Sequence, residues 1–140
     1  MKKLFYIMAL LPVVLFAGLN IKKINNTLSS IKSVKTLTFY NDNKNIDLKD
    51  TLKFTSKTKA SIIIFPNQNV KNKMVIVNSY KALVTNKNSI GAIYLKKGRT
   101  QIIFIKERLQ RNGLSLPTSF KNNLLSECQI NPICLFVAMK

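Results

Sequence analysis

The sequence predicts an α/β fold: a single small domain with a central mixed sheet that contains a hairpin and has short helices packed on both faces. First, the chain has 140 residues, of which 46% are apolar, enough for one domain with a modest core. Second, apolar runs of strand length alternate with short stretches of helical pattern. Third, several of these runs are apolar at every position, which is typical of strands that are buried on both sides.

Residues 1–17 have the pattern of a secretory signal peptide. Two lysines follow the first methionine, an apolar run extends from Leu4 to Phe16, and Ala17 provides a small residue at the cleavage position. The apolar run is short for a helix that spans a bilayer, and Pro12 lies inside it. An uncleaved anchor is the alternative. We therefore expect residues 18–140 to be one exported α/β domain in the periplasm.

Four elements are predicted in the first part of this domain. A loosely docked helix is expected over residues 20–33, because apolar side chains recur there at three- and four-residue steps. Residues 34–40, VKTLTFY, are rich in β-branched and aromatic side chains and predict a strand, followed by a polar turn over 41–45. Residues 46–54, IDLKDTLKF, fit either a strand or a helix, with a weak preference for a helix. The apolar side chains that recur along the helix predicted over residues 20–33 are Ile21, Ile24, Leu28 and Ile31.

The middle of the chain predicts strands that are covered on both faces. Residues 60–66 and 74–78 are short, continuous apolar runs. A short helix with Ser79 as its N-cap is expected over residues 79–87. Residues 90–105 then contain two apolar strands joined by the letters KKGR. Because Gly98 can adopt the positive φ of a tight turn, this segment predicts a hairpin inside the sheet.

The last part of the chain predicts two helices and a buried tail. Residues 106–113 form a short helix that ends at a glycine, with Glu107 and Arg111 paired one turn apart. A second helix is expected over residues 118–127, after a proline. The apolar tail, residues 133–139, is expected to be buried.

The two cysteines, Cys128 and Cys134, are separated by five residues that include a proline. In an oxidising compartment such a pair predicts a structural disulfide. Zinc binding is a weaker alternative, because two thiols supply only half of a tetrahedral ligand set. A redox-active pair is also weaker, because the spacing is not Cys-x-x-Cys.

The charge is strongly unbalanced, with 23 Lys and Arg, five Asp and Glu, and no His. Removal of the signal peptide leaves a net charge of +16. Such a field attracts an anionic surface, an anionic ligand or an acidic partner. Compositional drift is the alternative, because most basic residues are scattered lysines. Nucleic acid is not expected as a partner, because export separates the protein from it and no aromatic platform alternates with the charges.

The basic residues are densest in and after the hairpin turn, where all three arginines fall within 13 positions. If the turn and the following helix face the same side, they form a compact cationic patch that can bind a partner or ligand. A solvated turn and an ordinary amphipathic helix are the alternative. The candidate binding residues are Lys96, Lys97, Arg99, Lys106, Arg108 and Arg111.

The sequence shows no convincing catalytic constellation. General acid–base catalysis usually uses His or a matched pair of carboxylates, and the chain has no His. Ser-x-x-Lys occurs twice, close to the number that chance predicts in so lysine-rich a chain. The four glycines are too dispersed for a phosphate-binding loop. We therefore expect a non-enzymatic protein without a cofactor or a metal ion.

Residues 60–125 contain five short motifs in a fixed order: Ile90-Gly91-Ala92-Ile93, Gly98-Arg99, Ile103-Phe104-Ile105, Gly113-Leu114 and Leu124-Leu125. The order of these motifs resembles the second half of the YfiR-like periplasmic family. The resemblance implies a small periplasmic α/β domain that binds and restrains an inner-membrane signalling enzyme of the diguanylate cyclase type.

Two functional hypotheses follow. The first is an exported regulatory domain that binds a membrane-protein sensor or another envelope component through the hairpin and the helix after it. The second is a periplasmic module that binds a small anion, with Arg99, Arg108 and Arg111 around the ligand.

Overall fold

The computed structural model describes residues 18–48 and 52–131. The predicted signal peptide, the apolar tail and Cys134 lie outside these residues. Within them, no helix is long and apolar enough to cross a membrane. The strands are β1 Lys32–Ser33, β2 Phe39–Asn41, β3 Ile62–Ile64, β4 Met74–Val77, β5 Ser89–Lys96, β6 Arg99–Ile105, β7 Leu114–Ser115 and β8 Leu124–Leu125. The helices are α1 Ile21–Ser29, α2 Tyr80–Thr85, α3 Lys106–Arg111 and α4 Glu127–Ile130, with a 3-10 helix at Thr118–Asn123.

A six-stranded mixed sheet forms the centre, in the order β2-β3-β4-β5-β6-β8. Strands β2 to β5 run parallel, β6 is antiparallel to β5, and β8 is parallel to β6. Strands β1 and β7 form a separate antiparallel pair. The structure thus confirms the prediction of a mixed sheet in a small α/β domain.

Both faces of the sheet are buried. Along β3, Ile62 and Ile64 belong to one apolar cluster and Ile63 to another, as side chains that alternate across a strand must. The first cluster includes residues of α1, α3 and β7, and the second includes residues of α2 and α4. This explains why the central strands are apolar at successive positions.

The predicted hairpin is present as β5 and β6. Its register pairs Lys96 with Arg99 and Gly91 with Phe104. The two turn residues, Lys97 and Gly98, both have positive φ, at 52° and 76°, which is the geometry of a type I′ turn. The part of the hairpin nearest the centre of the sheet is buried on both faces, as predicted.

Gly91 lies against β6, where no space is left for a side chain. A methyl group on it would lie 2.6 Å from Cδ1 of Phe104 and 2.7 Å from the carbonyl oxygen of Ile103. The register between β4 and β5 also shifts next to it, between Val75 and Ile76. A glycine is needed here because the Phe104 ring occupies the space that a side chain would fill.

Helices α1 and α2 both begin at a side-chain cap, and the cap of α2 is the predicted Ser79. The side-chain oxygen of Asn20 accepts a hydrogen bond from the Lys23 amide at 3.1 Å, and Oγ of Ser79 accepts one from the Ala82 amide at 3.1 Å. Helix α1 is not loosely docked, because Ile24 is completely buried in the core.

The segment between α1 and β3 differs from its prediction. Within residues 34–40, strand pairing begins only at Phe39, and Val34 is 96% exposed. No layer of the domain covers Val34, so its β-branched side chain does not determine a buried strand. The weak preference for a helix over 46–54 is wrong at the described residues, which are not helical. Instead, Phe54 forms a parallel bridge with Phe39.

The predicted helix over residues 118–127 is wrong after Asn123. The 3-10 helix is irregular at Phe120, where φ is −101° and ψ is 18°. Leu124 and Leu125 then form strand β8, which pairs in parallel with the end of β6. These two leucines pair with the edge of β6 and pack against the two apolar clusters, so tertiary contacts outweigh local propensity.

Candidate binding surfaces

The hairpin tip, defined as Leu95–Arg99, extends the β5–β6 pair beyond the shorter neighbouring strands. All of its residues are exposed, and Leu95 is an exposed apolar residue with 44% of its surface accessible. No ion pair of the described chain involves its three cations. The tip therefore presents a leucine and three charged side chains to solvent. Its cations are Lys96, Lys97 and Arg99.

The beginning of the described chain lies at the base of the tip. The Asn20 amide donates a hydrogen bond to Oγ1 of Thr100 at 2.7 Å. Nζ of Lys23 donates one to the carbonyl oxygen of Thr100 at 3.1 Å. These contacts add a further cation beside the tip and tie the first turn of α1 to β6.

Arg108, a predicted binding residue, is buried, with only 2% of its surface accessible. Its guanidinium binds the Glu127 carboxylate through two parallel hydrogen bonds, from Nε at 3.0 Å and Nη2 at 2.8 Å. Nη1 donates to the carbonyl oxygens of Leu83 at 2.8 Å, Asn86 at 3.2 Å and Ser89 at 2.9 Å. Arg108 therefore joins α2, β5, α3 and α4, and it is not available to an external partner.

The buried Arg108 is paired with the Glu127 carboxylate, and this pairing affects the pKa of Glu127. The hydrogen bonds from Arg108 lower the pKa of Glu127, against the opposing effect of burial, and Arg111 and Lys87 add to the lowering. The carbonyl groups of Leu83 and Asn86 lie at the carboxyl end of α2, where a helix favours a positive charge. The arginine thus neutralises a carboxylate and also satisfies helix-end carbonyl groups.

The predicted pairing of Glu107 with Arg111 is wrong. Oε2 of Glu107 accepts a hydrogen bond from the Glu127 amide at 2.9 Å, at the first residue of α4. The closest approach of Arg111 to a carboxylate is 3.9 Å, from Nη2 to Oε2 of Glu127. Glu107 faces α4 because its carboxylate accepts a hydrogen bond from a backbone amide that the first turn of a helix leaves without an intrahelical acceptor.

The six candidate residues do not form one patch. Arg99 and Lys106 are seven positions apart at opposite ends of β6, a separation of about 23 Å for an extended strand. The hairpin tip lies at one end, whereas Lys106 and Arg111 are exposed at the other. The hypothesis of one anion held jointly by Arg99, Arg108 and Arg111 is not compatible with this separation.

A basic cleft of about 590 Å³ lies at the amino ends of the parallel strands. The sequence did not single out two of its lysines, Lys73 and Lys87, because lysines occur throughout the chain and these two belong to no local cluster. The available signal was their position just before buried strands, since residues that precede parallel strands meet at one edge of the sheet. The cleft is lined by Ala60, Ser61, Asn72, Lys73, Met74, Lys87, Asn88, Arg108, Arg111 and Asn112.

Residues 18–48 and 52–131 contain no group of three or more His, Cys, Asp or Glu side chains that could hold a metal ion. Cys128 lies in α4, and Cys134 is beyond the described residues, so their disulfide stays a prediction.

Comparison with known proteins gave no match to this chain among protein-family models, curated proteins or solved structures.

Proposed function

We propose that this chain is an exported, non-enzymatic binding domain that docks through its hairpin tip on an acidic surface of an envelope protein. The observation that carries the proposal is the state of the tip cations: they are exposed and make no ion pair within the described chain. The buried Arg108, by contrast, uses its guanidinium for hydrogen bonds within the fold.

The composition of the tip suits protein recognition. Leu95 offers apolar area that a partner can remove from water. The surrounding charges favour a complementary acidic surface, which accelerates encounter and selects the partner. The type I′ turn fixes the backbone that carries them, so docking orders few residues.

An inner-membrane signalling protein is the partner class that the other observations favour. The signal-peptide pattern of residues 1–17 directs the domain to the envelope. The resemblance of residues 60–125 to the YfiR-like family implies the restraint of a membrane-bound signalling enzyme. We propose the same regulatory role for this domain.

A photo-crosslinking amino acid at position 95 tests the contact in envelope preparations. The matched control is the same amino acid at position 34, because Val34 is also an exposed apolar residue. We expect one membrane protein to be crosslinked from position 95 and not from position 34. Equal capture from both positions would contradict the proposal.

Charge reversal then tests the purified pair. The variant Lys97→Glu/Arg99→Glu should weaken binding by at least tenfold and reduce its dependence on salt. The control Lys35→Glu/Lys121→Glu changes the net charge equally at other exposed positions. If both variants weaken binding alike, the protein is recognised by its overall charge and not by its tip.

A further inference from the structure

We infer that the basic cleft is a binding site for a small organic anion with two or more acidic groups. The cleft lies between the segments that precede β3, β4 and β5 and the end of α3. It is at the opposite end of β6 from the hairpin tip, so this inference does not depend on the proposed function.

The lining of the cleft is positive. It contains four cationic side chains and no carboxylate. Glu127, outside the lining, neutralises one of them by its paired hydrogen bonds with Arg108. An excess of positive charge therefore remains around a concave surface, where the surrounding protein screens it less than water would.

One of the remaining cations is fixed in place. Nζ of Lys73 donates hydrogen bonds to the carbonyl oxygens of Lys57 at 2.9 Å, Thr58 at 2.6 Å and Ala60 at 2.8 Å. These bonds use its three donors but leave its charge, because carbonyl groups are neutral. Lys73 therefore contributes a held positive charge and no free donor.

The donors that a ligand can use lie on the rim. Lys87 and Arg111 are exposed, and Arg111 has only the 3.9 Å approach to Glu127, which is too long for a hydrogen bond. The side-chain amides of Asn72 and Asn88 make no hydrogen bond within the described chain, and both residues line the cleft. A guanidinium, an ammonium and two amides thus line one cleft without hydrogen bonds inside the described chain.

This set of groups selects the chemical class of ligand. The planar donors of Arg111 match the oxygen pairs of phosphate or carboxylate groups. A volume of about 590 Å³ is larger than one phosphate requires and falls in the usual range for small-molecule sites. An anion with two acidic groups can reach both Lys87 and Arg111, and the asparagines can bind its neutral oxygens.

Calorimetric titration of the exported domain with pyrophosphate and with citrate tests the inference at physiological ionic strength. We expect saturable binding of at least one probe, and the stronger probe distinguishes phosphate from carboxylate chemistry. Lys87→Gln and Arg111→Gln should each weaken binding roughly tenfold, as the loss of a hydrogen bond to a charged group predicts. Asn88→Asp, which places a negative charge in the cleft, should abolish it.

The matched controls are Lys97→Gln on the hairpin tip and Lys121→Gln on the 3-10 helix, which remove the same charge from other exposed positions. They should change the affinity by less than about twofold, because exposed charges beyond a Debye length are screened. Equal weakening in all four neutralised variants would show diffuse attraction to a basic protein and overturn the inference. Absence of binding by both probes would overturn it as well.

Discussion

Two basic regions of this molecule differ in whether their cations have partners inside the fold. In the core, Arg108 is buried and its guanidinium binds a carboxylate and three backbone carbonyl groups. At the hairpin tip, Arg99 and its lysine neighbours are exposed and unpaired within the described chain. A cluster of positive charge therefore predicts nothing about binding until its internal partners are known. Within the described residues, Asp42 and Glu127 are the two carboxylates that form ion pairs, and their positions determine which cations the fold pairs.

The largest effect is expected at Arg108. Replacement by methionine, which keeps much of its volume, leaves the Glu127 carboxylate without its paired hydrogen bonds and removes the Arg108 donor from the carbonyl groups of Leu83, Asn86 and Ser89. We expect Arg108→Met to lower the free energy of unfolding by about 3 kcal/mol. Urea denaturation measures this loss. Arg99→Met is the matched control and should change stability by less than about 0.5 kcal/mol.

A double-mutant cycle measures how much of that loss of stability comes from the pair with Glu127. If the pair with Glu127 accounts for much of it, Arg108→Met and Glu127→Gln will be less than additive. Arg108→Lys should fall between wild type and Arg108→Met, because an ammonium keeps the charge but cannot make the paired hydrogen bonds. Equal destabilisation by Arg108→Met and Arg99→Met would remove the distinction between the two regions.

The second effect is steric and lies between these regions, within the hairpin. Gly91→Ala should destabilise the fold by about 2 kcal/mol, because its methyl group would overlap the Phe104 ring and the backbone of Ile103. Gly98→Ala is the useful comparison, since nothing lies within 4 Å of the position but its φ is 76°. It should cost about 1 kcal/mol through backbone strain alone. A loss at Gly91 no larger than that at Gly98 would contradict the packing of Phe104.

The third effect is the dependence of stability on pH. The pKa of Glu127 is lowered from an ordinary value of 4.5, chiefly by the hydrogen bonds from Arg108. A carboxylate with a lower pKa in the folded state stabilises the fold above its unfolded pKa, and the contribution is lost as the pH falls through the folded pKa. Stability should therefore be level near neutral pH and decrease as the pH drops below about 4.5.

Glu127→Gln isolates this contribution. The variant should be less stable at neutral pH and should lose less stability on acidification than wild type does. Asp42→Asn makes the same comparison at a second carboxyl group with a lowered pKa. The pKa of Asp42 is lowered chiefly by the hydrogen bond from the Asn67 amide, and Lys57 contributes. Parallel pH profiles for wild type and Glu127→Gln would contradict the pairing with Arg108.

The parts of the fold that local pattern predicts are those where local and tertiary preferences agree. The hairpin was predictable because Gly98 supplies the turn and the flanking runs are apolar at every position. Helix α2 was predictable from its serine cap. The β8 strand was not, because Leu124 and Leu125 become extended only beside β6, 19 or more residues away in the chain. The strand predicted over residues 34–40 is absent at its beginning for the complementary reason: the β-branched side chains of Val34 and Thr36 are exposed, and no layer covers them.

The candidate sites follow the same rule. The hairpin tip could be predicted because its residues are adjacent in the chain. The role of Arg108 could not, since its partner Glu127 is 19 positions later and the intervening segment was expected to be helical. The cleft joins residues from four separate segments, and no single stretch of sequence contains its pattern.

The smallest effect on stability, and the most informative one about function, is expected at the hairpin tip. The triple variant Lys96→Gln/Lys97→Gln/Arg99→Gln should unfold within about 0.5 kcal/mol of wild type, because none of these exposed side chains has an internal partner in the described residues. Removal of three like charges from one turn could even raise the unfolding midpoint slightly at low salt, where their mutual repulsion is least screened. Urea denaturation at low and high salt measures the free energy of unfolding and the unfolding midpoint. A loss comparable with that of Arg108→Met would mean that the tip cations support the fold, and the basis for a binding role at the tip would disappear.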